Sequence, residues 1–342
     1  MSAAGGIIRL GHVPEALLDI PAGELHRLFS GPALIHLGGE RSEPLFVSVL
    51  LHGNETSGLA AVQALLKNHA AQPWPRAVTF FFGNVLAARE GLRRLDRQPD
   101  FNRIWPGTEL GESTETRWAH EIVEEMAGRG VFASIDVHNN TGRNPHYACV
   151  ERLDGRSLSL AVRFGRLVIY SPCPKGTQTG AFASVCPSVT LECGQPDDAD
   201  GIEHATEFIE KCLRLPTISS QPPAEHEIDL FHASAQVKVR HEVNFSYSNP
   251  EADLLLRGQL DELNFIELPR GTLFGQLNPL HPKHPLPFIA LTDDGRDAAT
   301  EYFHVANHRL ELAKPAMPCM LSLDELIIRQ DCLGYLMERI KA

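Results

Sequence analysis

The stretch LFVSVLLHGNETSG, residues 45–58, runs an apolar segment straight into His52 and Glu55, separated by Gly53 and Asn54. Imidazole nitrogen and carboxylate oxygen are donors that zinc accepts, and a catalytic zinc site keeps one position open for water. The end of a strand is also where open α/β sheets place their ligand crevices. Taken alone, HGNE has a plainer reading: a turn histidine, then a glutamate complementing a helix dipole. A second junction of the same kind changes the balance. In SIDVHNNTG a buried run ends at His138, so His52, Glu55 and His138 form a candidate ligand set for one metal ion. Asp136, two residues earlier on the same face of the strand, is placed to fix an imidazole tautomer.

Glu192 in SVTLECGQ lies in an apolar run, where an unpaired carboxylate is costly to bury. Beside a metal it gains a use as a base that takes a proton from water and returns it to a leaving amine. The plainer alternative is a partner for a buried arginine. The segment EGLRRLDRQPDFNRIWPG, residues 90–107, carries Arg93, Arg94, Arg97 and Arg103. Arg103 follows Asn102 in a Pro-flanked stretch, and a guanidinium fork beside an amide suits a carboxylate ligand. Without the metal residues such a run reads as a solvated basic loop.

Elements that place these residues follow from periodicity. Segments 45–51, 77–84, 131–138, 146–150 and 188–194 read as strands. Segments 57–72, 113–130, 154–167 and 200–215 have helical spacing, and Ser113 or Thr114 caps the second of these. The alternation predicts an α/β sheet covered by helices on both faces. Residues 215–227, rich in Pro and Ser, read as a linker. Two domains are expected, 1–216 and 225–342, the second smaller and mostly β, with a closing helix over 321–341. His281 and His284 in NPLHPKHPLPF fall where prolines keep the chain extended, so that region reads as a loop and not a second metal site. His146, His304 and His308 read as strand or surface histidines.

At 342 residues the chain can bury a large core, and 43% hydrophobic with 22% charged residues is ordinary for a soluble protein. A net charge of −12 argues against nucleic acid or an anionic membrane as partner. It leaves room for an anionic small molecule, because local arginines outweigh distant screened charge. No apolar run approaches the roughly 20 residues of a membrane span. The opening residues lack the layout of a secretory signal. Seven scattered cysteines without a CxxC pair suit free thiols in a reducing compartment, and the expected location is the cytoplasm. Self-association leaves no mark in the sequence and is left open.

The four forms HGNE (52–55), DxNR (100–103), DxHN (136–139) and LExG (191–194), in that order, resemble the succinylglutamate desuccinylase/aspartoacylase family. LDELNFIELPRGTLFGQL (260–277) is similar to the C-terminal β-domain of the desuccinylases. The resemblance implies a zinc carboxypeptidase-like fold with a mixed central sheet. It implies one Zn²⁺ per chain held by His52, Glu55 and His138, with Glu192 as general base. It also implies Asn102 and Arg103 as binders of a substrate carboxylate. An oxyanion-stabilising arginine aligns with Arg93, although two extra residues before Arg103 leave Arg94 as a substitute.

The implied reaction is hydrolysis of the amide bond of a small N-acyl amino acid, with Glu192 deprotonating a metal-bound water. Two departures concern the substrate. HNNTGR replaces the Thr-Ala-Ile-Arg that usually follows the second histidine in desuccinylases, and Arg143 is the residue that could still reach a substrate group. Where aspartoacylases carry an arginine about ten residues before the catalytic glutamate, this chain has Phe182, so the acyl donor is expected to differ. The rival readings are a zinc carboxypeptidase acting on small peptides and a metal-binding protein without turnover. A structural zinc site closes its fourth position and has no need of Glu192.

Overall fold

The computed structural model describes residues 6–280 and 285–340. His281 and His284, read above as loop residues, lie outside the described residues. The chain divides into two compact units. The first runs to Asn139 and resumes over His146–Asp229; the second comprises Asn140–Pro145 and the chain from Leu230 onward.

In chain order the first unit contains β1 (Ile8–Leu10), β2 (Ala33–Leu37), β3 (Leu45–Val49), α1 (Ser57–Asn68), β4 (Val78–Phe82), α2 (Val85–Glu90), α3 (Thr114–Gly128), β5 (Ala133–His138), β6 (Tyr147–Val150), α4 (Gly155–Ala161), β7 (Leu167–Tyr170), α5 (Gln178–Phe182), β8 (Ser188–Glu192) and α6 (Ala199–Arg214). The strands are ordered β1-β2-β4-β3-β5-β8-β6-β7. Pairing is parallel at the centre, where β4, β3, β5 and β8 run together, and antiparallel between β2 and β4 and between β8 and β6. Every residue of β3, β4 and β5 is buried, which explains their largely apolar character; of the polar exceptions, Ser48 donates to Asp136.

Opposite faces of β3 meet different helices. Phe46 stacks on Phe182 of α5 with ring centroids 4.5 Å apart. Val49, on the other face, packs so tightly against Gly58 of α1 that a Cβ there would sit 2.9 Å from Val49 Cγ1. Helices therefore cover both faces, as the alternation of elements predicts. The N-terminus of α3 carries a full capping box between Ser113 and Thr116. Residues 215–227 run over the first unit, where Ser159 Oγ donates to Gln221 O (2.8 Å) and Arg76 to Leu215 O (2.9 Å).

The second unit contains β9 (Asp229–Val239), β10 (Phe245–Ser246), β11 (Leu254–Leu256), β12 (Leu273–Leu277), β13 (Phe288–Leu291), α7 (Ala299–Tyr302), β14 (Phe303–Ala306), β15 (Arg309–Leu312), β16 (Met317–Cys319), α8 (Glu325–Gln330) and β17 (Gly334–Arg339). β9 pairs antiparallel with β13 and with β17, which in turn pairs with β16. A separate sheet has the order β10-β11-β12-β15-β14. In the core of this unit Phe303 meets Phe274 of β12 and Phe288 of β13 edge to face.

The closing helix expected over 321–341 is only the short α8; residues 334–339 are a strand. Leu, Met and Glu favour helix intrinsically, but pairing on both edges, with β9 and β16, overrides that preference. All seven cysteines are free thiols. Among the described residues no helix is long and apolar enough to cross a membrane.

Candidate metal centre

β3 ends at Val49, and Leu50 then adopts a left-handed conformation (φ 56°) that turns the chain across the strand end. Its carbonyl accepts from Asn84 N at 2.6 Å, which fixes the turn against the start of α2. Gly53 passes so close to α2 that a Cβ would lie 2.2 Å from Ala88 N. Its own N–H donates to Arg93 O (3.2 Å). This crowding holds His52 and Glu55 on the same side of the turn, and it brings the arginine loop to them.

His52, Glu55 and His138 are all buried, and each offers a ligand atom within 4.8 Å of the others. Both imidazoles turn Nδ1 inward: His52 Nδ1 lies 2.7 Å from Glu55 Oε1 and His138 Nδ1 2.7 Å from Glu55 Oε2. Both turn Nε2 outward to a second carboxylate. His138 Nε2 lies 2.7 Å from Asp136 Oδ2, and Asp136 in turn accepts from Ser48 Oγ (2.6 Å). His52 Nε2 lies 3.1 Å from Asp100 Oδ1. An outer carboxylate on the far nitrogen is the usual setting of a metal-ligating histidine, because it fixes the tautomer and raises basicity. Two imidazoles and one carboxylate, buried together, make a donor set suited to a divalent ion.

Charge is concentrated accordingly. Burial alone would raise the Glu55 carboxyl, but the imidazoles of His52 and His138 hold it below the usual range. Burial would lower His138, but Asp136 and Glu55 hold it well above the ordinary value. Asp100 is likewise kept well below its ordinary value against burial, chiefly by Arg93 and His52. The pocket thus favours positive charge at the point where the three donors meet.

Glu192, at the end of β8, is the register partner of His138 across the β5–β8 ladder. Neighbouring residues in a parallel pair project from the same face. Burial pushes its carboxyl up to about 8, partly offset by His138.

Arg93 Nη2 lies 2.9 Å from Asp100 Oδ2 and Nη1 3.9 Å from Glu55 Oε1. Arg94 instead donates to Gln98 O (3.0 Å), so of the two arginines Arg93 has its guanidinium at the centre. Asn102 reaches within 3.3 Å of His138 Nε2 through Nδ2, while its Oδ1 accepts from Gln178 N (2.8 Å). Half-buried Arg103 donates to Asn102 O at 2.7 Å.

Arg143 belongs to the second unit, is largely exposed, and pairs there with Glu262 (3.2 Å) and Asp261 (3.7 Å). Phe182 is fully buried in the core.

Asp100 is the residue the sequence reading did not assign. Its only signal was its place as the first letter of the DxNR form. Asp136, by contrast, is read from strand periodicity, since it shares a face with His138.

The profile of the succinylglutamate desuccinylase/aspartoacylase catalytic domain matches residues 43–215. No curated protein sequence matches the chain significantly. Among solved structures, succinylglutamate desuccinylase from Chromobacterium violaceum superposes with a TM-score of 0.57 at 18% identity, covering 90% of this chain and 89% of that one. The Vibrio cholerae desuccinylase gives 0.58 at 15%, covering 88% and 82%. Murine aminoacylase 3 gives 0.55 at 16%, covering 88% and 96%. At such identities these structures establish the shared fold. The profile, which spans half of the chain and contains all three candidate ligands, Arg93, Asn102, Arg103 and Glu192, establishes more: the chain belongs to the succinylglutamate desuccinylase/aspartoacylase family.

Proposed function

We propose that the protein is a zinc-dependent amidohydrolase of small N-acyl amino acids. The observation that carries this reading is the pair of inward-turned Nδ1 atoms around Glu55, each histidine backed by a carboxylate, with Glu192 beside His138 in the strand register. A zinc ion held by His52, Glu55 and His138 would supply Lewis acidity and bring a water's pKa to roughly 7.

The protein's own groups do the rest. Arg103, with Asn102, holds the substrate carboxylate. Arg93 offers a guanidinium to the oxygen that gains negative charge as the carbonyl is attacked, an effect worth about 3 kcal/mol for a well-placed donor. Asp100 holds both Arg93 and His52, so it keeps oxyanion donor and metal ligand in one frame. Glu192 accepts the proton of the attacking water and passes it to the departing amine. Its high proton affinity suits the second half of that task. Arg143, paired with Glu262 and Asp261 in the second unit, carries no role in this reading.

The test is a hydrolysis screen of the zinc-loaded protein against acetyl, succinyl and longer N-acyl amino acids, with small peptides alongside. Release of free amino acid from the acyl compounds is expected; turnover confined to peptides points to a carboxypeptidase instead. Glu192→Gln should keep full zinc content and lose at least a hundredfold in kcat. An active Glu192→Gln protein removes the base assignment.

A further inference from the structure

Glu151 follows β6 in the first unit, and none of the chemistry above uses it. Thr177 Oγ1 donates to Glu151 Oε1, and a Cβ on Gly180 would lie 2.1 Å from Glu151 Oε2. The carboxylate therefore lies against the 177–180 turn that begins α5. The same turn is bonded to the proposed substrate clamp. Gln178 N donates to Asn102 Oδ1 (2.8 Å), Trp105 N donates to Gly176 O (3.0 Å), and a Cβ on Gly176 would lie 2.4 Å from Arg103 O. One short segment thus carries the amide and guanidinium of the clamp on one side and a carboxylate on the other.

Within the fold Glu151 also takes a backbone hydrogen bond from Gly180, a group it shares with Thr177, which caps α5 by accepting from Gly180 N (3.1 Å). No ion pair to Glu151 within 4.0 Å occurs among the described residues. Lys175, which acts on it only at longer range, is exposed and donates to Pro172 O (2.9 Å). Arg103 also acts on it at longer range, and the proposed reading commits that guanidinium to the substrate carboxylate. A carboxylate mostly withdrawn from water, bonded to the Thr177 hydroxyl and the Gly180 backbone but to no contacting cation, is held at a cost that a cationic ligand would reduce.

We infer that Glu151 is a specificity-determining residue, accepting an ammonium or guanidinium group on the side chain of the substrate's amino-acid part while Arg103 holds its α-carboxylate. The inference rests on the N-acyl amino acid reading and narrows it to basic amino acids. It also agrees with the buried Phe182, which offers no cation to an acidic substrate.

The experiment compares kcat/KM of the zinc-loaded protein at pH 8 for Nα-acetyl-lysine and Nα-acetyl-ornithine against the near-isosteric neutral Nα-acetyl-norleucine. The wild type should prefer the basic compounds at least tenfold, the difference residing mainly in KM. Glu151→Gln should reduce that preference at least tenfold, and Glu151→Lys should invert it toward Nα-acetyl-glutamate. A wild type without basic preference, or a ratio that survives Glu151→Gln, overturns the assignment while leaving the deacylase reading intact. If no acyl amino acid is cleaved, the deacylase reading fails instead. Titration calorimetry of lysine and norleucine derivatives into wild type and Glu151→Gln then decides the role of Glu151 separately.

Discussion

A histidine that is to bind a metal through Nδ1 must present that nitrogen, and here Asp100 and Asp136 lie against the Nε2 atoms of His52 and His138. Asp100→Asn keeps the shape and removes the charge. Zinc affinity should fall about 10- to 100-fold, measured by competition with a chromogenic chelator. Unchanged affinity would separate Asp100 from the metal. Glu151 makes a different residue-scale prediction, about pH. Burial pushes its carboxyl up to about 7, against about 4.3 in an unfolded chain. Below about pH 4 both states hold the proton and the group is neutral toward folding. Between those values the unfolded chain ionises first, so the native state loses stability as pH rises, and above about pH 7 the loss is complete. It amounts to roughly 3–4 kcal/mol, given about 1.4 kcal/mol per pKa unit. Glu151→Gln should therefore raise the melting temperature at pH 8 and leave it unchanged at pH 4. A rise at both pH values would trace the gain to packing instead. Asp136 was legible in the sequence because strand residues two apart share a face. Asp100 was not, because its loop has no period to say where a side chain points.

At the scale of elements, the turn after β3 depends on an absence of side chain. A Cβ at Gly53 would meet the backbone of Ala87 and Ala88 at 2.3 and 2.2 Å, and backbone cannot rotate aside as a flexible side chain can. Gly53→Ala should cost about 1–3 kcal/mol through overpacking and should reduce zinc occupancy as well, because His52 and Glu55 flank the shifted residue. Differential scanning calorimetry and metal analysis read the two effects; full zinc occupancy in the variant would show that the turn does not position the ligands. The central strands and long helices were legible because burial on both faces, or on one stripe, writes itself into composition. β1, β2 and β7 escaped notice; unlike β3, β4 and β5, none of them is buried along its whole length. The closing strand β17 was misread as helix because its partners, β9 and β16, are remote or not yet known when the local sequence is read. Short strands derive their identity from the ladder they join, not from their own residues.

For the whole molecule, every candidate ligand and every outer carboxylate lies in the first unit, whereas Asn140–Pro145, only two residues beyond His138, belongs to the second. No local pattern distinguishes a loop that packs with its own unit from one captured by another, so this excursion had no signature in the sequence. The thermodynamic consequence can be measured on the complete chain. A ligand that binds only the native state stabilises it by RT ln(1 + [L]/Kd), about 4 kcal/mol when free metal exceeds Kd a thousandfold. In the unfolded chain His138 lies 83 residues from Glu55, so the three donors present no common site and nearly all of that energy should appear as a shift in melting. Zinc should raise the melting temperature of wild type by several degrees and a chelator should reverse the gain. His52→Ala should melt at the same temperature with or without zinc. Should zinc shift His52→Ala as much as wild type, the ion is held elsewhere and the hydrolytic reading loses its centre. Should it shift neither, the three donors meet without holding an ion, and Glu192 has no activated water to serve.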